Sequence, residues 1–149
     1  MSGKSECRVK CELMKIGAYK ADIESKKRRI EELELQKSGV GSIVIDDMPK
    51  GEGCNLYERV DYILDKIDKI ERDIRKDMIS MCDLLIYWQG KVNKLEGYER
   101  VIISLRYFEL LSWRLISKEL PYDERQIYRM HASALKNLEK IIREEKRCQ

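Results

Sequence analysis

Three long polar side chains close together in the last third of the chain carry hydrogen-bond donors that suit DNA bases: Arg125, Gln126 and Arg129. A guanidinium can donate two parallel hydrogen bonds to O6 and N7 of guanine, and a glutamine amide can make a two-bond contact with adenine. Each such pair contributes roughly 1–3 kcal/mol of discrimination against the wrong base. The chemistry predicted for this segment is therefore base recognition in the DNA major groove.

Further polar residues around these three are predicted to add contacts to DNA. Tyr128 carries a hydroxyl that suits a phosphate oxygen, and its ring equally suits packing on the preceding helix. Arg114 and Lys118 lie in that preceding segment, where positive charges position a protein on DNA without reading its sequence. The predicted DNA-binding residues are Arg125, Gln126, Tyr128, Arg129, Ser133, Arg114, Lys118 and Lys136. The alternative interpretation is a solvated, charged face on an ordinary helical bundle.

Residues that could support catalysis or bind a metal form no recognisable group. His131 is the only histidine, and no Ser or Cys nucleophile lies at a motif spacing that would give it a partner. Cys7 and Cys11 share a helical face, but neither a histidine nor a second cysteine pair completes a metal site. The glycines at 39 and 41 lack the Lys-Ser/Thr ending of a phosphate-binding loop. The sequence therefore predicts no enzyme, no metal and no cofactor, with His131 packing or donating a hydrogen bond.

Two amphipathic segments separated by a short break are expected to position these polar residues. Pro121 has no backbone N–H and pushes Leu120 out of helical geometry. Asp123 suits a helix N-cap, because its carboxylate can accept a hydrogen bond from a backbone N–H two or three residues on. Apolar residues recur at helical spacing on both sides of the break, at Trp113, Ile116, Leu120, Ile127, Met130, Ala134 and Leu138. The pattern predicts a helix-turn-helix.

The rest of the chain is predicted to form two long helices with narrow apolar seams. The first seam comprises Val9, Leu13, Ile16, Ile23, Ile30 and Leu33; the second comprises Val60, Ile63, Ile67, Ile70, Ile74, Met78 (or Met81) and Leu85. A narrow seam needs a partner helix, so we expect an antiparallel hairpin or self-association between chains, and the sequence leaves both open. The basic run 26–29 is interpreted as a solvated face, with phosphate contact as the alternative.

Composition agrees with long charged helices. Charged residues make up 38% of the chain and aromatic residues 7%, which argues against a β-sandwich. The net charge of +3 is small, so any basic footprint must be local. No signal peptide or membrane-length apolar run is evident, which predicts a cytoplasmic protein without membrane contact. The predicted organisation is a long helix at 1–37, a glycine-rich loop at 38–55, a second long helix at 56–95 and a helix-turn-helix domain at 96–149.

Residues 98–138 read Y-E-R-V-I-x-x-L-R-Y, then W-x-x-I-x-x-E-L, then R-Q-I-Y-R-x-H-x-x-A-L-x-x-L. This pattern resembles region four of bacterial sigma factors, the promoter-reading region. The Y-R-x-H that precedes A-L is similar to phage and prophage transcriptional regulators of the ArpU and RinA type, and D-M-P-K-G at 47–51 resembles small phage proteins of that group. The chain lacks a counterpart of the sigma region that melts promoters, so the resemblance does not imply a complete sigma factor.

The resemblance implies a sequence-specific transcriptional regulator whose helix-turn-helix enters the major groove of double-stranded DNA. The narrow seams of the long helices favour a homodimer or larger homo-oligomer, and contact with RNA polymerase is left open. One residue departs from the pattern, because Glu124 puts a negative charge where phosphate or base contacts are expected, unless it accepts from cytosine N4.

Two other functions fit the same all-α prediction. One is a small terminase-like protein that marks phage DNA for packaging, which would assemble into rings. The other is a helical interaction or scaffold protein that does not bind DNA.

Overall fold

A computed structural model describes residues 2–39 and 56–149 of the chain, and in these ranges the regular structure is entirely helical. The elements are α1 (Ser2–Ser38), α2 (Leu56–Val92), α3 (Gly97–Ile103), a π-helical segment (Ser104–Phe108), α4 (Trp113–Glu119) and α5 (Glu124–Arg147). The all-α prediction is confirmed for the described residues. The predicted glycine-rich loop lies outside them apart from Ser38 and Gly39, and so does the segment 47–51.

The described residues form two compact units, and both long helices contribute to each. One unit comprises Met1–Lys20 and Ser80–Gln149, and the other lies within Ala21–Ile79. Each unit has apolar clusters of its own. Among the described residues, no helix combines the length and the apolar character needed to cross a membrane.

The unit within Ala21–Ile79 is held together by the predicted seams of α1 and α2. Leu33 packs with Ile63 and Ile67, and Ile30 and Ile70 close the cluster from the side. These residues recur every three or four positions, which places them on one face of each helix. The buried positions of this unit were therefore readable from the sequence.

The basic run 26–29 in the same unit is largely engaged with carboxylates. Lys26 contacts Asp22 and Asp77, and its hydrogen bond to Asp77 is the main cause that raises its pKa. Two further pairs lie along α1, with N–O distances of 3.5 Å between Lys27 and Glu24 and 3.1 Å between Arg29 and Glu32. This pairing agrees with the interpretation of the run as a balanced, solvated helix face.

The other unit is built on an apolar cluster that draws on both ends of the chain. Val9, Leu13 and Ile16 of α1 pack with Trp88 and Val92 of α2 and with residues of the last third of the chain. Those last residues are Ile103, Tyr107, Ala134, Leu135 and Leu138. The compact unit therefore extends beyond the predicted domain at 96–149, because the apolar face of α5 is longer than α3 and α4 can cover.

A smaller apolar cluster joins the three short elements to α5. Ile102 of α3, Ile116 of α4 and Ile127 of α5 meet at its centre, and each is 0% exposed. The residues packed around them are Leu105, Leu111, Trp113, Leu120, Tyr122 and Met130. This cluster sets how α4 and the first half of α5 lie together.

The helix that begins at Gly97 does not keep regular α-helical winding. After Ile103 the chain forms a π-helical turn, in which the N–H of Glu109 donates to the carbonyl of Ser104 at 3.1 Å. Along this stretch Ile103 and Tyr107 are buried, whereas Phe108 is only partly covered. A regular helical period cannot reveal this change.

The chain leaves the π-helical turn through a residue in the left-handed region. Leu110 has a φ of 60°, which costs a non-glycine residue about 1–2 kcal/mol. Its side chain lies over Gly17 of α1, where an added Cβ would meet Leu110 Cδ2 at 3.1 Å. The glycine that weakens α1 locally therefore also makes room for Leu110.

Candidate nucleic-acid interface

The predicted break between α4 and α5 is present, with the local chemistry that the sequence indicated. Leu120 is extended, with φ −112° and ψ 149°, and its N–H donates to the carbonyl of Ile116. Asp123 caps α5, and its carboxylate accepts a hydrogen bond from the Gln126 N–H at 2.8 Å. Ser112 caps α4 in the same way and accepts from the Leu115 N–H at 3.3 Å. Both helices therefore start at a residue determined by a side-chain cap.

Because the apolar face of α5 is buried, its polar face points outward. Ile127, Ala134 and Leu138 are 0% exposed, and His131 lies on the same side. With about 100° of rotation per residue, four residues on the opposite side of the helix fall within an arc of about 60° around its axis. This outer ridge of α5 consists of Arg125, Arg129, Ala132 and Lys136, all of them exposed. Two of the predicted base readers thus lie in line on the first two turns of the helix.

The other predicted base reader, Gln126, is exposed but lies beside the outer ridge rather than on it. It is offset by about 100° from Arg125. Its position in the first turn still faces the side of α5 from which Ser133 projects. Gln126 could therefore reach a base edge only from the flank of the helix.

Tyr128 borders the outer ridge on the opposite flank. Its ring packs on Trp113, with ring centroids 4.8 Å apart, and the residue stays 47% exposed. The guanidinium of Arg106 lies 4.7 Å from the centroid of the Trp113 ring and donates to the carbonyl of Leu111 at 2.9 Å. Tyr128 therefore takes the packing role that the sequence offered, and half of its surface remains open to a ligand.

The two predicted phosphate contacts on α4 are both exposed. Arg114 and Lys118 are four residues apart, so they project from one side of the helix. Lys136 is exposed on the outer ridge, in the fourth turn of α5. Against these positive charges stand three exposed carboxylates in the same segment, Glu119, Asp123 and Glu124. The balance of charge in this segment is basic but modest.

Ser133 has a protein partner. Its hydroxyl donates to Glu99 Oε1 at 2.6 Å, and Asn137 Nδ2 donates to Glu99 Oε2 at 2.8 Å. One carboxylate in the first turn of α3 thus holds two consecutive turns of α5. Because this carboxylate lies beside Ser133, a phosphate would be repelled from the same place.

His131 is buried at the centre of the unit rather than on the outer side of α5. It is 7% exposed, and its Nε2 shares a hydrogen bond of 2.8 Å with the hydroxyl of Tyr107. Its ring also packs edge to face with that of Trp113, at 4.7 Å between centroids. Burial lowers the pKa of His131 to about 4, with the charges of Lys10 and Arg106 acting in the same direction. The imidazole is therefore neutral at physiological pH and serves packing.

Ala132 is the outer-ridge residue that was not among the predicted DNA contacts. It lies three residues after Arg129 and seven after Arg125, so helical spacing alone could have found it. A search for hydrogen-bond donors and charges passes over a side chain that has neither.

Within residues 2–39 and 56–149, no group of three or more His, Cys, Asp or Glu side chains is arranged to hold a metal ion. Comparison of the chain with protein-family models, curated proteins and solved structures finds no match.

Proposed function

We propose that this chain is a sequence-specific DNA-binding transcriptional regulator of phage or prophage origin. In this proposal α4 and α5 form a helix-turn-helix of sigma region-four type. The observation that carries it is the outer ridge of α5, where exposed Arg125 and Arg129 stand opposite a fully buried face. A helix with this division can lie in a groove without disturbing its own core.

The protein would act by docking and without chemistry. The N-terminal half of α5 would enter the major groove, because the N-terminal residues of a recognition helix reach base edges. Arg125 and Arg129 would bind guanine O6 and N7, and Gln126 would approach adenine from the flank. Arg114 and Lys118 of α4 would contact phosphates and orient the protein on the duplex.

The rigid attachment of α5 supports a reading role. Its N-terminus is capped by Asp123, its inner face is anchored at Ile127, and Glu99 holds it from the side. A helix that is ordered before binding loses little further freedom on contact with DNA. Glu124 weakens non-specific attraction to phosphates, and it would favour sites where a cytosine N4 can donate to it.

The two long helices would serve assembly. We propose an N-terminal helical hairpin, coiled-coil-like in its packing, that supports a homodimer or a larger homo-oligomer. In a dimer, two helix-turn-helix units would bind half-sites about one helical turn of DNA apart. Contact with RNA polymerase is proposed on the resemblance to sigma region four alone.

The experiment is a binding titration on duplex fragments from the neighbourhood of the gene, at increasing salt. The variant Arg125→Ala/Arg129→Ala should lose at least tenfold in affinity for the selected fragment. The matched control is Lys27→Ala/Arg29→Ala, which also removes two positive charges, but from exposed positions of α1. The control should stay within about twofold, because those side chains face carboxylates of their own helix.

Absence of binding at low salt, where phosphate attraction is strongest, would overturn the proposal. An equal loss in both double variants would show that only net charge matters, and it would also count against a base reader. The mass of the assembly in solution separates the regulator from a packaging protein. A dimer is expected for the regulator, and a ring would favour the terminase-like function.

A further inference from the structure

The two alanines in the middle of α5 have opposite environments. Ala134 is 0% exposed and packs in the core, whereas Ala132 is exposed on the outer ridge. Around Ala132 the outer ridge carries long side chains, Arg129 one turn before it and Lys136 one turn after it. The ridge therefore has a recess at Ala132, where the helix backbone can come closest to a surface laid against it.

The spacing of the exposed residues fits a helix that reads DNA over two turns. One class of major-groove helix, that of homeodomains, presents base-contacting side chains at positions i, i+3, i+4 and i+7. On α5 these positions are Arg125, Tyr128, Arg129 and Ala132, and all four are exposed. Ala132 occupies the last of them.

We propose that Ala132 is a specificity-determining residue whose methyl group contacts the C5 methyl of a thymine. The inference rests on the proposed function and adds the identity of one base to it. In the major groove, thymine is the base that presents a methyl group, and small apolar side chains are its partners. A cytosine at the same place presents the N4 donor, for which Ala132 has no acceptor.

The neighbours of Ala132 leave this contact to its methyl group. Ser133 is turned toward Glu99, to which its hydroxyl donates, and so its proton is not available to a base at this point. Arg129 and Lys136 flank the recess on either side. The methyl protruding from a thymine would fill the recess between them.

The position of the thymine within the site follows from helix geometry. Ala132 lies seven residues beyond Arg125, which is about 10 Å along the axis of α5. Base pairs are stacked about 3.4 Å apart. The thymine should therefore lie about three base-pair steps from the guanine bound by Arg125 when α5 runs along the groove.

The test replaces each thymine of the selected fragment in turn with deoxyuridine, which removes the C5 methyl and keeps the base pairing. At one thymine per half-site, replacement by deoxyuridine should lower the affinity of the wild-type protein about fourfold. This corresponds to the ~0.8 kcal/mol that burial of one methylene-sized group contributes. The variant Ala132→Gly should bind thymine and deoxyuridine equally at that position. For each protein, the affinity for the thymine-containing DNA is divided by the affinity for the deoxyuridine-containing DNA. A loss of affinity that arises only because glycine weakens α5 affects both values equally and cancels in this ratio.

Ala132→Ser serves as a second variant with a better-formed helix, and its preference for thymine should also be reduced. Specific binding with no sensitivity to deoxyuridine at any thymine would overturn this inference and leave the proposed function standing. A sensitive thymine that stays equally sensitive in Ala132→Gly would also overturn it. Failure of the wild-type protein to select any fragment would overturn the proposed function, and this inference with it.

Discussion

The hydroxyl of Tyr107 lies 2.8 Å from Nε2 of His131, and the two rings stack with an angle of 28° between their planes. The pair joins the π-helical segment to the middle of α5. Burial raises the pKa of Tyr107 to about 12 and lowers that of His131 to about 4. Both groups are therefore neutral in the folded protein over the physiological pH range.

The protein should become less stable as the pH falls below the pKa that His131 has in the unfolded chain. In that range the unfolded chain binds a proton at His131 and the folded protein does not. The pKa of His131 is 6.5 in the unfolded chain and about 4 in the folded protein. Above 6.5 neither state is protonated there, so the stabilising effect of the neutral imidazole is complete. Between 6.5 and about 4 the unfolded state gains the proton, and the free energy of unfolding should drop by up to ~3 kcal/mol.

Because His131 is the only histidine, its proton NMR signals can be followed without ambiguity of assignment. We expect no titration of these signals near pH 6.5 in the folded protein. The variant His131→Gln supplies the control for urea unfolding, since the difference between its stability and that of wild type should lose its pH dependence above pH 6.5. A normal titration midpoint in the folded protein would contradict the burial of the imidazole.

The N-cap of α5 should contribute measurably to stability. Asp123→Ala removes the acceptor for the Gln126 N–H and should lower the free energy of unfolding by about 1 kcal/mol. Asp123→Asn keeps a side-chain oxygen at the same place and should stay near wild type. Urea denaturation of both variants measures the difference, and an equal loss in the two would assign the effect to charge rather than to capping.

The carboxylate of Glu99 should couple α3 to α5. Glu99→Ala leaves the hydroxyl of Ser133 and the amide of Asn137 without their acceptor, and we expect a loss of about 1–2 kcal/mol. A double-mutant cycle between Glu99→Ala and Asn137→Ala should give a coupling energy of at least ~0.5 kcal/mol. Strict additivity of the two single changes would mean that this hydrogen bond adds nothing to stability.

Gly17 and Leu110 should also be coupled, but with the opposite sign. Gly17→Ala alone gains helix propensity, and the new Cβ presses on Leu110 Cδ2 at 3.1 Å. In the background Leu110→Ala the pressure is relieved, so Gly17→Ala should then stabilise by about 1 kcal/mol, more than in wild type. Thermal unfolding of the four proteins tests this, and an equal effect in both backgrounds would rule out the contact.

The sequence was most informative where local chemistry determines structure. The seam residues Leu13 and Leu33 are buried as their spacing predicts, and the break at Leu120 and Asp123 has the expected geometry. Both features depend on residues within one or two helical turns of each other. A periodic pattern or a capping residue is sufficient to find them.

Contacts between distant parts of the chain were not readable in this way. Tyr107 and His131 are 24 residues apart, and the π-helical turn that brings Tyr107 inward breaks the regular period. Ser133 was predicted among the DNA contacts, and its bond to Glu99 joins residues 34 positions apart. In the candidate site, the exposure of Arg125 and Arg129 followed from the buried face opposite them, whereas their role on DNA stays a prediction.

The π-helical turn is a place where the chain can lose one residue without a change in the core that precedes it. It winds Ser104–Phe108 with one residue more than a turn of α-helix holds. Deleting Arg106 would let this turn relax to α-helical winding while Ile102 and Ile103, which precede it, keep their facing. A deletion near the start of α5 would instead rotate everything after it by about 100° and carry Leu138 out of the core. Single-residue insertions and deletions during descent from a common ancestor should therefore collect in this turn, not in the helix beside it.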